Sequence, residues 1–360
     1  MNYYIHVPFC ASKCGYCVFY SETVCSEELF DRYLEKIFSG LSTADKAADT
    51  VYIGGGTPTV FDAERLERFL ETVCSALKTG SRTEISIESN PETLTSEKVA
   101  ILKRYVNRIS TGVQSFFPEA RNILGRKCSD LQLRKALALV AEAGFSHWNC
   151  DLIYAVPGRS VSDWEKEFDE LAGYPVDHVS CYNLTPEEGA RLYGTLDPAM
   201  DIAADLEKVT FERLEALDIH RYEVSNYARN GAECRHNINV WRGGLLKGFG
   251  PSAAGFDGHD RVSEAASLSR WLNGEPAEID RIPHSRRLDE IFAVNLRTVA
   301  GWNREAWLAV PGADSWGDRL RKAGEVGKIM PGCFEITGDV IKLTPEGLAF
   351  WDSVAEELLV

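Results

Sequence analysis

No run of apolar residues in this 360-residue chain reaches the roughly 20 that a membrane-spanning helix needs. Nor does the chain open with the charged start, apolar stretch and small-residue cleavage site of a secretory leader. Both absences lead to the expectation of a cytoplasmic protein with no integral membrane segment. Positive charge is the next shortage, with 39 Lys and Arg against 54 Asp and Glu. The resulting field repels phosphate backbones and anionic membrane surfaces, so nucleic acid is not expected as a partner. No internal repeat is present beyond an alternation of strand-like and helix-like patterns. What remains is an ordinary globular chain, long enough for one large domain and a smaller one with a substantial buried core.

Cysteine is not scarce, but paired cysteine is. Of ten cysteines, seven (Cys25, Cys74, Cys128, Cys150, Cys181, Cys234 and Cys333) are scattered singly, and disulfides are not expected in a reducing compartment. Only Cys10, Cys14 and Cys17 form a group, in "YYIHVPFCASKCGYC" at residues 3–17. Three soft thiolates from one loop select zinc, copper(I) or an iron–sulfur cluster. Zinc demands a fourth ligand, for which His6 is available, although it falls inside the preceding strand pattern. A cubane held by three cysteines leaves one iron open to an exchangeable ligand.

Short β-rich runs, from "YYIHV" at residue 3 to "HVSCYNL" at 178, alternate with amphipathic helical patterns, several opened by a Ser or Asp cap. The alternation predicts parallel βαβ units and an α/β fold, a partial six-stranded (βα)6 barrel over residues 1–225. Cys10, Gly54 to Thr57, Glu88, Gln114 and Asp151 fall at or just after the C-terminal ends of different predicted strands, where such folds gather ligand-binding groups. Residues 226–284 are rich in Gly, Asn and aromatics without a clean period, and are expected to be an irregular segment covering the barrel. Residues 285–360 return to helical patterns and two short strands, the outline of a small α+β domain of winged-helix type.

In this setting Cys-x3-Cys-x2-Cys after the first strand resembles the motif of the radical S-adenosylmethionine (SAM) family. The segments "YIHVPFC", "GGGTPT", "IESNP", "TGVQSF", "LGR", "DLIYAVPG" and "YEVSNYAR" follow in the order of its HemN-like subgroup. The resemblance implies a [4Fe–4S] cluster on Cys10, Cys14 and Cys17, with SAM chelated to the open iron and cleaved after reduction by a donor such as flavodoxin or ferredoxin. It places Tyr16 near the adenine and Gly55, Gly56 and Thr57 along the methionine moiety. Glu88, Gln114, Arg126 and Asp151 match polar SAM-contacting positions, and Tyr4 matches another.

Within that subgroup the chain is more similar to the haem-chaperone branch than to the coproporphyrinogen III dehydrogenases. The dehydrogenases carry a fourth cysteine where Phe19 stands, and an N-terminal extension that helps to cover their substrate. The stretch "RHNINVW" at 235–241 resembles a His-Asn-x-x-Tyr-Trp pattern of the chaperones through His236, Asn237 and Trp241. This implies haem, or a related tetrapyrrole, with His236 as an axial ligand and an acceptor protein to receive it. The alternative is decarboxylation of coproporphyrinogen III, or another radical reaction on a tetrapyrrole. Val240 replaces the tyrosine of the pattern, and Ala254, Val18 and Cys128 stand where relatives often place His, Asp and His respectively.

Overall fold

The computed structural model describes residues 1–23, 26–195 and 198–359; Cys25, one of the dispersed thiols, lies outside them. Strands β1 (Asn2–Val7), β2 (Thr50–Gly55), β3 (Glu84–Ser89), β4 (Arg108–Gln114), β5 (His147–Tyr154) and β6 (His178–Asn183) pair in parallel, in chain order. Between them run α1 (Glu27–Leu41), α2 (Ala63–Ala76), α3 (Ser96–Tyr105), α4 (Pro118–Ile123), α5 (Asp130–Ala143) and α6 (Val161–Leu171). The capping residues work as the sequence predicts: the side chains of Ser26, Asp62, Ser129 and Ser160 each accept a backbone N–H from the first turn of their helix. This is the expected α/β fold with a central parallel sheet.

Period-two alternation decides which way each strand faces. In β3 to β6, Ile85 and Ile87, Ile109 and Val113, Trp148 and Leu152, and Val179 are buried in the apolar core outside the sheet. Their neighbours Ser86 and Glu88, Ser110 and Gln114, Asn149 and Asp151, and His178 and Ser180 line a cavity on the other side. One face of the sheet is therefore apolar and covered by helices, and the other is a polar lumen.

Beyond β6 the chain forms α7 (Ala203–Glu215), β7 (His220–Arg221), β8 (Asn226–Ala228) and α8 (Arg235–Trp241). Strands β9 (Leu246–Phe249), β10 (Ala254–Phe256) and β11 (Asp260–Ser263), helix α9 (Leu268–Leu272) and β12 (Glu278–Arg281) follow. Residues 226–284 thus depart from the irregular cover expected of them. β8 joins β6 antiparallel, β9 joins β1 in parallel, and β10 to β12 extend that edge. These strands span only three or four residues each, too few for a period-two pattern to stand out. Glycine makes their close pairing possible: a Cβ on Gly248 would lie 2.5 Å from the Ala254 carbonyl oxygen.

The C-terminal part contains α10 (His284–Asn295), β13 (Trp302–Asn303), α11 (Arg304–Leu308), α12 (Trp316–Ile329), β14 (Phe334–Ile336), β15 (Val340–Leu343), α13 (Pro345–Ala349) and α14 (Trp351–Leu359). Its three strands form a separate antiparallel sheet around their own core, in which Phe292, Trp302 and Trp307 meet edge to face. Arg297 ties this part to the main sheet, donating to the fully buried Glu223 at 2.7 Å and stacking over Trp241 of α8.

Helix α8 has no side-chain cap of its own; the Glu84 carboxylate on β3 accepts the backbone N–H groups of Arg235 (3.1 Å) and His236 (2.8 Å) instead. Arg108 lies 3.5 Å from the same carboxylate, and both side chains are almost wholly buried. Replacing Arg108 with Leu leaves that carboxylate as an uncompensated buried charge, so unfolding in urea should show a loss of roughly 3–5 kcal/mol. A loss within experimental error would mean that Glu84 does not need this partner.

Candidate functional site

The polar lumen opens into a cavity of about 420 Å³, within the size range of small-molecule sites. Cys10, Cys14 and Cys17 all line it, as do Tyr16, Gly55, Gly56, Thr57, Glu88, Gln114, Arg126 and Asp151. Thr57 donates its hydroxyl to the Cys10 sulfur at 3.5 Å, and Arg126 Nη1 reaches the Cys14 sulfur at 3.3 Å. Burial pushes the thiols of Cys10 and Cys17 up from their ordinary pKa, so a metal must displace protons from them to bind. Among the described residues no group of three His, Cys, Asp or Glu is arranged to hold one metal ion. A cubane asks for something different, because its three cysteines bind three different irons and need to share a wall rather than meet at a point. The loop fits that demand. His6, the sequence-level candidate for a fourth zinc ligand, turns elsewhere: its Nε2 donates to the Tyr20 carbonyl at 2.9 Å.

The glycines after β2 serve tight packing. A Cβ at Gly54 would lie 2.6 Å from the Glu88 carboxylate, and one at Gly56 would lie 2.6 Å from the carbonyl oxygens of Val7 and Phe9. Gly55 has φ +94°, a conformation strained for any other residue. Their N–H groups are already committed, Gly55 to Glu88 (3.0 Å), Gly56 to Val7 (2.8 Å) and Thr57 to Phe9 (2.6 Å). A ligand therefore meets no free backbone N–H at Gly55, Gly56 or Thr57.

Gln114, at φ +65° beside an irregularity in the β4–β5 register, is a second strained point on the same rim. Glu88 accepts from Gly55 and from the Tyr52 hydroxyl (2.9 Å), yet burial, reinforced by the Asp151 charge, pushes its pKa up to about 7. Burial also raises Asp151, which is held by Asn149 (2.7 Å) and Ser110 (3.1 Å). Arg126 donates to Asn90 at 3.0 Å and to the Gly112 carbonyl at 2.5 Å. Its buried Nε, with Asn183 Oδ1 and Ser86 Oγ in the same cavity, has no partner among the described residues. Buried polar atoms left this way fit a cavity built for a polar ligand such as SAM.

Sequence reasoning missed Tyr52, Asn90, Ser110 and Asn149, which orient the predicted contacts. Tyr52, Ser110 and Asn149 are polar members of period-two pairs in their strands, and Asn90 directly follows the end of β3. Tyr4 and His236 do not line this cavity. They border a second one of about 390 Å³, with His6, Tyr20, Trp241 and Leu246; Val18, Phe19 and Asn237 belong to both. Phe19 is 67% exposed, an apolar lip between the two. Tyr4 accordingly separates from the other expected SAM contacts, its hydroxyl lying 3.1 Å from His6 Nδ1.

Changing Cys10, Cys14 or Cys17 singly to Ala should abolish most of the visible absorbance of an anaerobically reconstituted cluster, with iron assay as the check. Retained iron in the triple variant would defeat this assignment. Glu88 supplies a second test, through pH. Its raised pKa means that it gains its negative charge, and its capacity to accept from an ammonium or hydroxyl group, only as pH rises through about 7. SAM affinity of the reconstituted protein should rise across that interval, and Glu88→Gln should flatten the rise; an unchanged profile in the variant would separate Glu88 from SAM.

Residues 4–171 match the Radical SAM superfamily. The heme chaperone HemW of Mycobacterium tuberculosis is 33% identical over 99% of this chain and 94% of its own length. HemW of Bacillus subtilis is 29% identical over 84% of each chain. Among solved structures, coproporphyrinogen III oxidase (HemN) of Escherichia coli superposes with a TM-score of 0.83 at 18% identity, covering 99% of this chain and 89% of that one, which establishes the shared fold. Radical SAM membership implies a [4Fe–4S] cluster and SAM as cofactors. The chain belongs to the radical SAM superfamily and, within it, to the HemW family.

Proposed function

We propose that this protein is a haem chaperone that binds haem in its second cavity and passes it to an acceptor protein, with cluster and SAM held in the first. The observation that carries the reading is the pairing of an imidazole, His236, with a largely apolar wall of Tyr20, Val240, Trp241 and Leu246 in a cavity that the cluster thiols do not line. The names of the relatives point the same way.

Each residue then has a definable task. Cys10, Cys14 and Cys17 hold the cluster, which when bound supplies the electron that makes SAM reactive. Arg126 and Thr57 set the charge and orientation of two of the sulfurs. Glu88, Gln114 and Asp151 accept from the polar groups of SAM, Tyr16 packs beside it, and the Gly55–Gly56 turn lets it approach the backbone. His236 offers a ligand to haem iron, and Trp241, braced from behind by Arg297 at 4.8 Å, covers the macrocycle. Val240 and Ala254 border the same cavity, so the departures from the chaperone pattern alter its wall without removing its nitrogen ligand.

An anaerobic haem titration tests the proposal. About one haem per chain is expected, and His236→Ala should shift or erase the Soret band while leaving the cluster absorbance intact. Coproporphyrinogen III should show no meaningful SAM-dependent turnover in a parallel assay. Absence of haem binding together with robust decarboxylation would replace the chaperone reading with the dehydrogenase one.

A further inference from the structure

Two imidazoles line the second cavity, and hydrogen bonding distinguishes them. Both rings are buried, so each is taken as neutral, with one N–H and one lone pair. His6 has neither to spare. Its Nε2 lies 2.9 Å from the Tyr20 carbonyl oxygen, which only accepts, so the proton is on Nε2 and Nδ1 accepts from the Tyr4 hydroxyl at 3.1 Å.

His236 is fixed the other way round by a chain of bonds whose directions follow one from the next. The chain starts at the Leu245 carbonyl oxygen, which receives Asn2 Nδ2 at 2.9 Å and thereby orients the Asn2 amide. Asn2 Oδ1 must then be the atom facing Thr50, and it also receives Asn239 Nδ2 at 3.1 Å. Thr50 has one hydroxyl proton, and at 2.8 Å from Asn2 Oδ1 it is spent there. The Thr50 oxygen can therefore only accept from His236 Nδ1, also at 2.8 Å. Among the described residues Nε2 of His236 has no hydrogen-bond partner, and its ring packs against Tyr52 with centroids 5.3 Å apart.

We infer that Thr50, oriented by Asn2 and the Leu245 carbonyl, is a positioning residue that holds His236 as its Nδ1–H tautomer and so presents the Nε2 lone pair as the only imidazole ligand, among the described residues, available to haem iron in the second cavity. Metal-binding histidines are commonly oriented by a bond from their other ring nitrogen, and losing that bond typically costs 10–100-fold in affinity. Here the orienting acceptor is a hydroxyl on β2, a strand that also carries the turn bordering the first cavity. The ligand role rests on the haem reading above; the tautomer does not.

The test is a long-range ¹H–¹⁵N spectrum of the full chain labelled with [¹⁵N]histidine, without haem, with His236→Ala used for assignment. His236 should show a protonated Nδ1 and an unprotonated Nε2, and His6 the reverse. Thr50→Val should shift His236 toward the Nε2–H form and weaken haem binding by at least about tenfold. Thr50→Ser should restore both, and the cluster absorbance should not change in either variant. A wild-type spectrum with the proton on Nε2 of His236 overturns the inference, and decides it even if the valine variant fails to fold. A valine variant with unaltered tautomer and affinity also overturns it. A wild type that binds no haem overturns the haem reading and the ligand role with it, while the spectrum still decides the tautomer.

Discussion

A strand in a parallel sheet sends alternate side chains to opposite faces, and in this protein nearly everything else depends on how those alternate positions are filled. β3 to β6 put aliphatic and aromatic side chains outward against the helices and Ser, Asn, Gln, His and carboxylates inward. Burying the first set drives folding, while the second set must find partners or pay for desolvation. The partners are mostly each other. The lumen thus carries groups of mutually hydrogen-bonded side chains, and its unpartnered atoms, such as Arg126 Nε and Asn183 Oδ1, lie where a ligand is expected.

The same network reaches helix α8 and so joins the two cavities. Asp151 accepts from Asn149 Nδ2, Asn149 Oδ1 accepts from His178 Nδ1 at 2.6 Å, and His178 Nε2 accepts from the Tyr222 hydroxyl at 2.9 Å. Tyr222 in turn receives the backbone N–H of Cys234, at the start of α8. Glu84 holds the next two N–H groups of that helix. The proposed SAM contact and the proposed haem ligand therefore stand at opposite ends of one run of hydrogen bonds, with Val18 and Phe19 on the boundary between the cavities.

Much of this was legible in the sequence because it is local. The cluster loop, the glycine turn and the helix caps are encoded within a few residues, and the positions of Glu88 and Gln114 follow from where β3 and β4 end, whereas Asp151, expected at a strand end, lies midway along β5. What could not be read depends on contacts between distant segments. Nothing near Thr50 in sequence announces that it meets His236, and the roles of Glu84 and Asn2 depend on α8 and Leu245 arriving from 151 and 243 residues away. The motif groups Tyr4 with the SAM residues, whereas alternation along β1 turns it with His6 toward the second cavity. The strands β9 to β12 have no counterpart in the sequence pattern because segments of three or four residues carry no readable period.

The central claim is that two adjoining cavities hold two different ligands at once. Its most direct test is a competition measurement on the reconstituted protein, in which bound radiolabelled SAM is followed during anaerobic titration with haem. Separate cavities predict that about one haem binds per chain while SAM stays bound. Stoichiometric release of SAM as haem enters would show that both use the same site, and would contradict the account.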